Sequence, residues 1–202
     1  MMVFVLLLIL SYLIGCLNTS ILYSKLNYKK DIRTQGSGNA GATNMLRSFG
    51  KKSAAITFLG DVLKVVIAVG IAWIVYRNDQ HVIIIKALMG LACVVGHCFP
   101  VFFRFKGGKG IASGSACILM IDWRVFLAAI ILFVLIVLLT KYVSLGSIVG
   151  AVTYPVGLLI CGFDTWVIVV AVLTTAMVVY RHKKNIVALC KGTERKIGAD
   201  KV

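Results

Sequence analysis

Lys106 and Lys109 enclose two glycines in the run KGGKG, residues 106 to 110, immediately before an apolar segment. Two ammonium groups interleaved with bare backbone at a helix start combine full charge, free N–H donors and the positive end of a helix dipole. That combination suits an anion. His97, Pro100 and an aromatic cluster (Phe99, Phe102, Phe103, Phe105) precede it. Read singly, His97 is a satisfied polar residue and the aromatics an interfacial belt. Beside KGGKG, His97 becomes a candidate acid or base, since imidazole titrates near neutral pH.

A second run, GSGNAGATN (36–44), is small and polar inside a greasy chain and has Arg33, Arg47, Lys51 and Lys52 around it. Gly36 and Gly38 let the backbone turn its N–H groups toward one point. Ser37, Asn39, Thr43 and Asn44 add side-chain donors, and Arg47 adds a planar fork that matches phosphate. A plain flexible linker would favour Ser/Gly repeats. The match to G-x-G-x-x-G over 36–41 carries no dinucleotide reading, because no strand precedes it and no βαβ unit can be built around it. The phosphate-loop pattern fails as well, with Ala42 and Thr43 following Gly41. A third run, RHKKNIVALCKGTE (181–194), puts His182 and Asn185 on one helix face, with Glu194 beyond a Gly192 turn. By itself it reads as a basic juxtamembrane tail.

These groups must be positioned by a membrane-embedded scaffold. The chain is 60% hydrophobic and 14% charged, against about 25% charged in soluble domains. A helix needs roughly 18 to 20 residues to cross ~30 Å of hydrocarbon, and the apolar runs are expected to span at 3–25, 53–76, 82–103, 110–122, 124–140, 144–162 and 163–180. The first lacks a basic segment before it and a cleavage site after it, so a retained span is expected. The fourth is short, about 16 Å of helix over Ile111 to Ile121. With seven spans and the amino terminus outside, eighteen of the 22 basic residues fall on one face, which the positive-inside rule makes cytoplasmic, together with the carboxyl terminus. The expectation is an all-α integral membrane protein, a single domain over 1–202, with its active loops on the cytoplasmic face.

Two charges fall inside a span. Asp61 and Lys64 stand three apart in the second helix, where each costs about 2.5 to 3.5 kcal/mol at the membrane centre. They are expected to neutralise one another or to line a polar cavity. The six cysteines form no C-x-x-C pair and read as buried small hydrophobes.

The stretches GSGNAGATNMLR (36–47), GHCFPVFFRFKGGKG (96–110) and HKKNIVALCKGTE (182–194), with SYLIGCLNTSIL (11–22) and DVLK (61–64), resemble the bacterial membrane acyl-phosphate:glycerol-3-phosphate acyltransferases over essentially the whole chain. The resemblance implies a multi-pass enzyme of the bacterial plasma membrane. Its implied reaction moves a fatty acyl group from acyl phosphate to the 1-hydroxyl of glycerol 3-phosphate, releasing lysophosphatidate and inorganic phosphate in the first committed step of phospholipid synthesis. No cofactor, metal or nucleic acid is implied. Carried across, Ser37, His97 and Lys106 would act at the reacting centre. Gly36, Gly38, Asn39, Thr43, Asn44, Arg47, Gly107, Gly108, Lys109, His182, Asn185 and Glu194 would bind the two phosphorylated substrates, with Asp61 and Lys64 in support. The chain departs from the family pattern at Ala188, Val65 and Ser113, where Arg, Gly and Thr are usual.

No Ser-His-Asp set, cysteine dyad or H-x4-D motif is present. An activated anhydride needs no enzyme nucleophile, only approach of the hydroxyl and donors fixed in advance for the oxyanion. Either His97 or a substrate phosphate oxygen could take the hydroxyl proton. Two other classes fit the composition, an anion transporter and a non-catalytic factor that binds anionic lipid. A transporter should show internal repeats with interrupted helices at the midplane, and none is evident.

Overall fold

Asn18 divides the first apolar run. Its Oδ1 accepts from the backbone N–H of Ile21 at 3.2 Å and from Ser20 Oγ at 2.7 Å, an N-cap that starts a new helix. The expected span 3–25 is therefore two helices in the computed structural model, α1 (Met2–Cys16) and α2 (Thr19–Tyr28). The structure describes residues 1–198; Lys201 of the basic tail lies outside the described residues.

Among the described residues seven further α-helices follow: α3 (Ala42–Tyr76), α4 (Val82–Cys98), α5 (Ile111–Ile121), α6 (Trp123–Thr140), α7 (Val143–Ile160), α8 (Thr165–Arg181) and α9 (Lys183–Cys190). No strand occurs among the described residues. Gly50, at φ 82°, breaks α3. Residues 42–49 thus form a separate leading segment ahead of the expected span 53–76. Asp122 ends α5 and caps α6, accepting from Arg124 N and Val125 N, while Asp164 caps α8 through Trp166 N. His182 separates α8 from α9, which bends away by 61°.

Five helical segments are long and apolar enough to cross a membrane, or six if the bent α8–α9 pair counts as one, and α5 is a shorter apolar helix. The chain is an all-helical membrane protein. α1 and α4 approach closely: a side chain at Gly15 would collide with the Cys93 carbonyl, and one at Gly96 with that of Tyr12. Small residues permit such contacts in lipid, where apolar burial gives helices no reason to associate. Around this seam lies a core of Val65, Val69, Met89, Cys93 and Val94; a second core, with Tyr154, Leu158 and Ala171, joins α4, α6, α7 and α8. A third, built from Ile21, Ile32, Ala40 and Met45, underlies the loop after α2.

The four basic segments meet at one end of the bundle. Arg33 Nη1 donates to the carbonyls of Phe103 (2.9 Å) and Lys106 (3.3 Å). Arg181 donates to the carbonyls of Gly108 and Gly107, each at 3.0 Å. The Ile197 N–H reaches the Lys141 carbonyl at 2.9 Å, so the tail is tied to the α6–α7 turn. The glycine loops are thus clustered at one end, unlike the midplane sites of a transporter.

Candidate active site

Asn44 organises the first loop. Buried at 1% exposure, it accepts from Ser37 N at 2.8 Å and donates to the carbonyls of Ile32, Gln35 and Asn39 at 3.2, 2.9 and 3.0 Å. The sequence suggested a phosphate contact for this residue. Its amide is instead spent on folding the loop, and so is the Ser37 N–H, which leaves the Ser37 hydroxyl for a ligand. A further tie comes from Asp31, whose carboxyl is held down to about 2 chiefly by its hydrogen bonds to the Arg33 guanidinium, against the opposing pull of partial burial.

The loop delivers the chain into α3 at Gly41, and the second loop delivers it into α5 at Gly110. Neither helix has a capping side chain. Gly41, Ala42, Thr43, Gly110, Ile111 and Ala112 all line one polar pocket of about 980 Å³. Two uncapped helix N-termini therefore face the same space, each offering first-turn N–H groups to an anion. Arg47 and Lys109 add charge to it, and Arg195, a residue the sequence reading passed over, lines it too.

Lys109 Nζ donates to Asn185 Oδ1 at 2.7 Å, and Asn185 Nδ2 donates to Glu194 Oε1 at 2.7 Å. Burial, with Arg47 and Arg181 nearby, pushes the Lys109 ammonium down to about 8, although Glu194 pulls the other way. Lys106 is placed differently. It is exposed and lines an outer basic vestibule of about 1710 Å³, which also holds Gly36, Gly38, Gly107 and Ala188. Lys183 and Lys184 line that same vestibule, supplying charge where Ala188 has none.

Beneath the pocket lies the intramembrane cluster. Lys64 Nζ is 2.8 Å from Asp61 Oδ1 and 2.8 Å from His97 Nδ1, and His97 Nδ1 is 3.5 Å from Asp61 Oδ1. Ser113 keeps a hydroxyl that donates to the Asp61 carbonyl at 3.3 Å, and Val65 is buried in the core. Gly107 N and Gly108 N donate to the carbonyls of Cys98 and His97, folding the KGGKG loop over the imidazole. A Cβ at Gly108 would overlap His97 Nε2, so this position admits only glycine. His182 is buried, with Nδ1 2.8 Å from the Val178 carbonyl. His97, His182 and Asp61 all line the polar pocket.

Sequence reasoning missed Ser144 and Arg181. Ser144 lines the pocket, and its buried Oγ has no hydrogen-bond partner among the described residues; a lone serine at a helix start gives no sequence signal. Arg181 holds the glycine loop and lies 5.1 Å from the centre of the Phe99 ring, but in sequence it is one more basic residue at a membrane boundary. Next to the polar pocket, between α5, α6, α7 and α8, is an apolar cavity of about 480 Å³ lined by Ile118, Ala129, Ile130 and Tyr154. Gly110, Ile111, Phe133 and Ser147 line both spaces. No group of three or more His, Cys, Asp or Glu among the described residues could hold a metal ion.

A membrane helix bundle that joins an anion pocket to an apolar cavity defines a site for charged, lipid-like molecules. The chain belongs to the glycerol-3-phosphate acyltransferase family: the family model described as "Glycerol-3-phosphate acyltransferase" matches residues 5–192. It is 42% identical over 199 residues to the glycerol-3-phosphate acyltransferase of Clostridioides difficile (strain 630), covering 98% of this chain and 97% of that one. The Thermoanaerobacter pseudethanolicus enzyme of that name is 43% identical over 190 residues, covering 94% and 93%. Among solved structures, the glycerol 3-phosphate form of PlsY (YgiH), an integral membrane glycerol 3-phosphate acyltransferase, superposes with a TM-score of 0.90 at 36% identity and 96% coverage of both chains. Its lysophosphatidic acid form gives 0.87 at 35% identity, covering 96% of this chain and 95% of that one. This chain is a glycerol-3-phosphate acyltransferase.

Proposed function

We propose that the enzyme takes its acyl group from acyl phosphate and places it on the 1-hydroxyl of sn-glycerol 3-phosphate, giving lysophosphatidate and inorganic phosphate. The observation that carries this reading is the junction of an apolar cavity with a pocket that receives two helix N-termini. A fatty chain would lie in the cavity, and the phosphates would lie against the first turns of α3 and α5. The forms in which the related PlsY was solved, with glycerol 3-phosphate and with lysophosphatidic acid, support the acceptor and the product.

Chemically, the hydroxyl oxygen attacks the carbonyl carbon of the mixed anhydride. A new ester C–O bond forms, the bond from that carbon to the phosphate oxygen breaks, phosphate leaves with the bonding pair, and the hydroxyl proton passes to an acceptor in the site, an imidazole nitrogen or a substrate phosphate oxygen. Ser37 Oγ, Ser144 Oγ and the free first-turn N–H groups are the donors for the oxyanion and the phosphates; Arg47 and Lys109 offset the repulsion between two anions. Asn39, Thr43, Asn185 and Glu194 shape the pocket, and Lys106 gathers anions at the vestibule. The orientation that suits this chemistry has seven crossings, the amino terminus outside, and the site and carboxyl terminus facing the cytoplasm of a bacterial plasma membrane.

The test is acylation of labelled glycerol 3-phosphate by purified, lipid-reconstituted protein, with palmitoyl phosphate and palmitoyl-CoA in parallel. Labelled lipid and equimolar phosphate should appear with acyl phosphate alone. Product from the thioester alone would overturn the donor assignment.

A further inference from the structure

Two buried imidazoles line the polar pocket, and each is pinned at Nδ1 by a different kind of partner. At His97 the partner is the Lys64 ammonium, 2.8 Å away. An ammonium has three hydrogens and no lone pair, so it can only donate. Its other two hydrogens are shared among Asp61 Oδ1 at 2.8 Å and the carbonyls of Gly15 and Leu17 at 3.2 and 3.4 Å. Two groups face His97 Nδ1, the Lys64 ammonium at 2.8 Å and Asp61 Oδ1 at 3.5 Å; the nearer one can only donate, so Nδ1 accepts from it and the hydrogen of the neutral ring sits on Nε2. At His182 the partner is the Val178 carbonyl, 2.8 Å away, which can only accept. There Nδ1 carries the hydrogen, and Nε2 keeps its lone pair. Neither Nε2 has a hydrogen-bond partner among the described residues.

We propose that His97 and His182 form a fixed donor and acceptor pair on the pocket, with Lys64 as the positioning residue that sets the first. The pairing rests on the acyl-transfer reading and deepens it. An acyl phosphate offers only acceptor oxygens around its reacting carbon, and His97, whose Nε2 packs close to Gly108, lines the pocket together with Lys109 and the first turn of α5, where such an oxygen would lie. The 1-hydroxyl of glycerol 3-phosphate carries a hydrogen that needs an acceptor, and the His182 lone pair supplies one. On this assignment His97 does not take the hydroxyl proton, because its Nδ1 lone pair is engaged by Lys64 and its other nitrogen is already protonated.

The first test is nitrogen NMR of lipid-reconstituted protein labelled with 15N-histidine. His81, His97 and His182 would be assigned with His81→Gln and His97→Gln variants, with glycerol 3-phosphate present. The expected spectrum at neutral pH shows His97 protonated at Nε2 alone and His182 at Nδ1 alone. In the charge-balanced double variant Asp61→Asn/Lys64→Met, His97 should become a mixture of tautomers while His182 is unmoved. Either ring in the opposite tautomer, or His97 as an imidazolium, overturns the proposal.

Turnover gives the second readout. Losing a fixed donor costs about 100- to 1,000-fold, so His97→Ala should fall by that much, while His97→Gln, whose amide can accept from Lys64 and donate to the pocket, should stay within about tenfold of wild type. A lost base costs roughly 100- to 10,000-fold, and a His97→Gln enzyme as poor as His97→Ala overturns the donor role. Wild-type protein that makes no product from acyl phosphate would overturn the function proposed above, and the spectra would still decide the tautomers.

Discussion

Lys109 Nζ stands 2.7 Å from Asn185 Oδ1, joining the loop that opens α5 to the short helix that follows α8. The contact brings together two motifs separated by 76 residues and leaves the remaining ammonium hydrogens for a ligand. With burial and two arginines pushing Lys109 down to about 8, the ammonium is present below that pH and is lost above it.

The affinity that Lys109 gives for a phosphate is thus full below about pH 8 and falls as pH rises through it. In initial-rate measurements the KM for the phosphorylated substrates should climb on the alkaline side. Lys109→Arg should flatten that limb, since arginine stays charged. Lys109→Met should raise KM at neutral pH by roughly ten- to a hundredfold, the equivalent of about 1.5 to 3 kcal/mol for a charged hydrogen bond. An unchanged alkaline limb in Lys109→Arg would exclude Lys109 as its source.

Asn44 tests the loop itself. Asn44→Ala removes one acceptor and two N–H donors, the latter shared among three carbonyls, at a buried position, and should cost about 2 to 4 kcal/mol of stability at roughly 1 kcal/mol per hydrogen bond. Asn44→Asp keeps the acceptor for Ser37 N but sets a carboxylate against the carbonyls of Ile32, Gln35 and Asn39. It should therefore be the worse of the two. Thermal unfolding in detergent and KM for both substrates would check this order.

Gly108→Ala would push a methyl group into His97 Nε2 and the Ala40 carbonyl. The glycine loop must then lift from the imidazole, and turnover should drop by about 100-fold, as expected when a site group is displaced by ~1 Å. Gly114→Ala meets only Val178 Cγ2 at 3.9 Å and should be tolerated. Gly114→Leu should fill part of the apolar cavity and raise KM for palmitoyl phosphate more than for a short-chain donor. A chain-length series measures that difference.

Asp61→Asn leaves the Lys64 ammonium buried without its counter-charge. Breaking a buried pair from one side costs about 3 to 5 kcal/mol, whereas removing both partners can be close to neutral. Thermal unfolding should show Asp61→Asn as less stable than the double variant Asp61→Asn/Lys64→Met. The reverse order would mean that the carboxylate, not the pair, holds this part of the bundle.

The helical membrane fold and the three polar runs were legible from residue types alone, and the family from the resemblance those runs carry. Length and hydropathy decide that a helix can cross lipid, and a Lys-Gly-Gly-Lys or Gly-Ser-Gly-Asn run has few uses in such a chain. The short fourth run was visible too, and it is the 11-residue α5. The sequence could not tell which polar groups were already spent. Asn44 read as a phosphate donor, yet its amide is consumed by carbonyls that only the folded loop brings around it. Lys106 and Lys109 looked equivalent three residues apart, but the fold exposes one and sets the other against Asn185. Ser144 and the apolar cavity gave no signal, because a site between helices exists only once they pack. The tautomers of His97 and His182 were likewise beyond sequence: a hydrogen's place on an imidazole follows from the partner at the other nitrogen, and Lys64 and Val178 become those partners only in the tertiary structure.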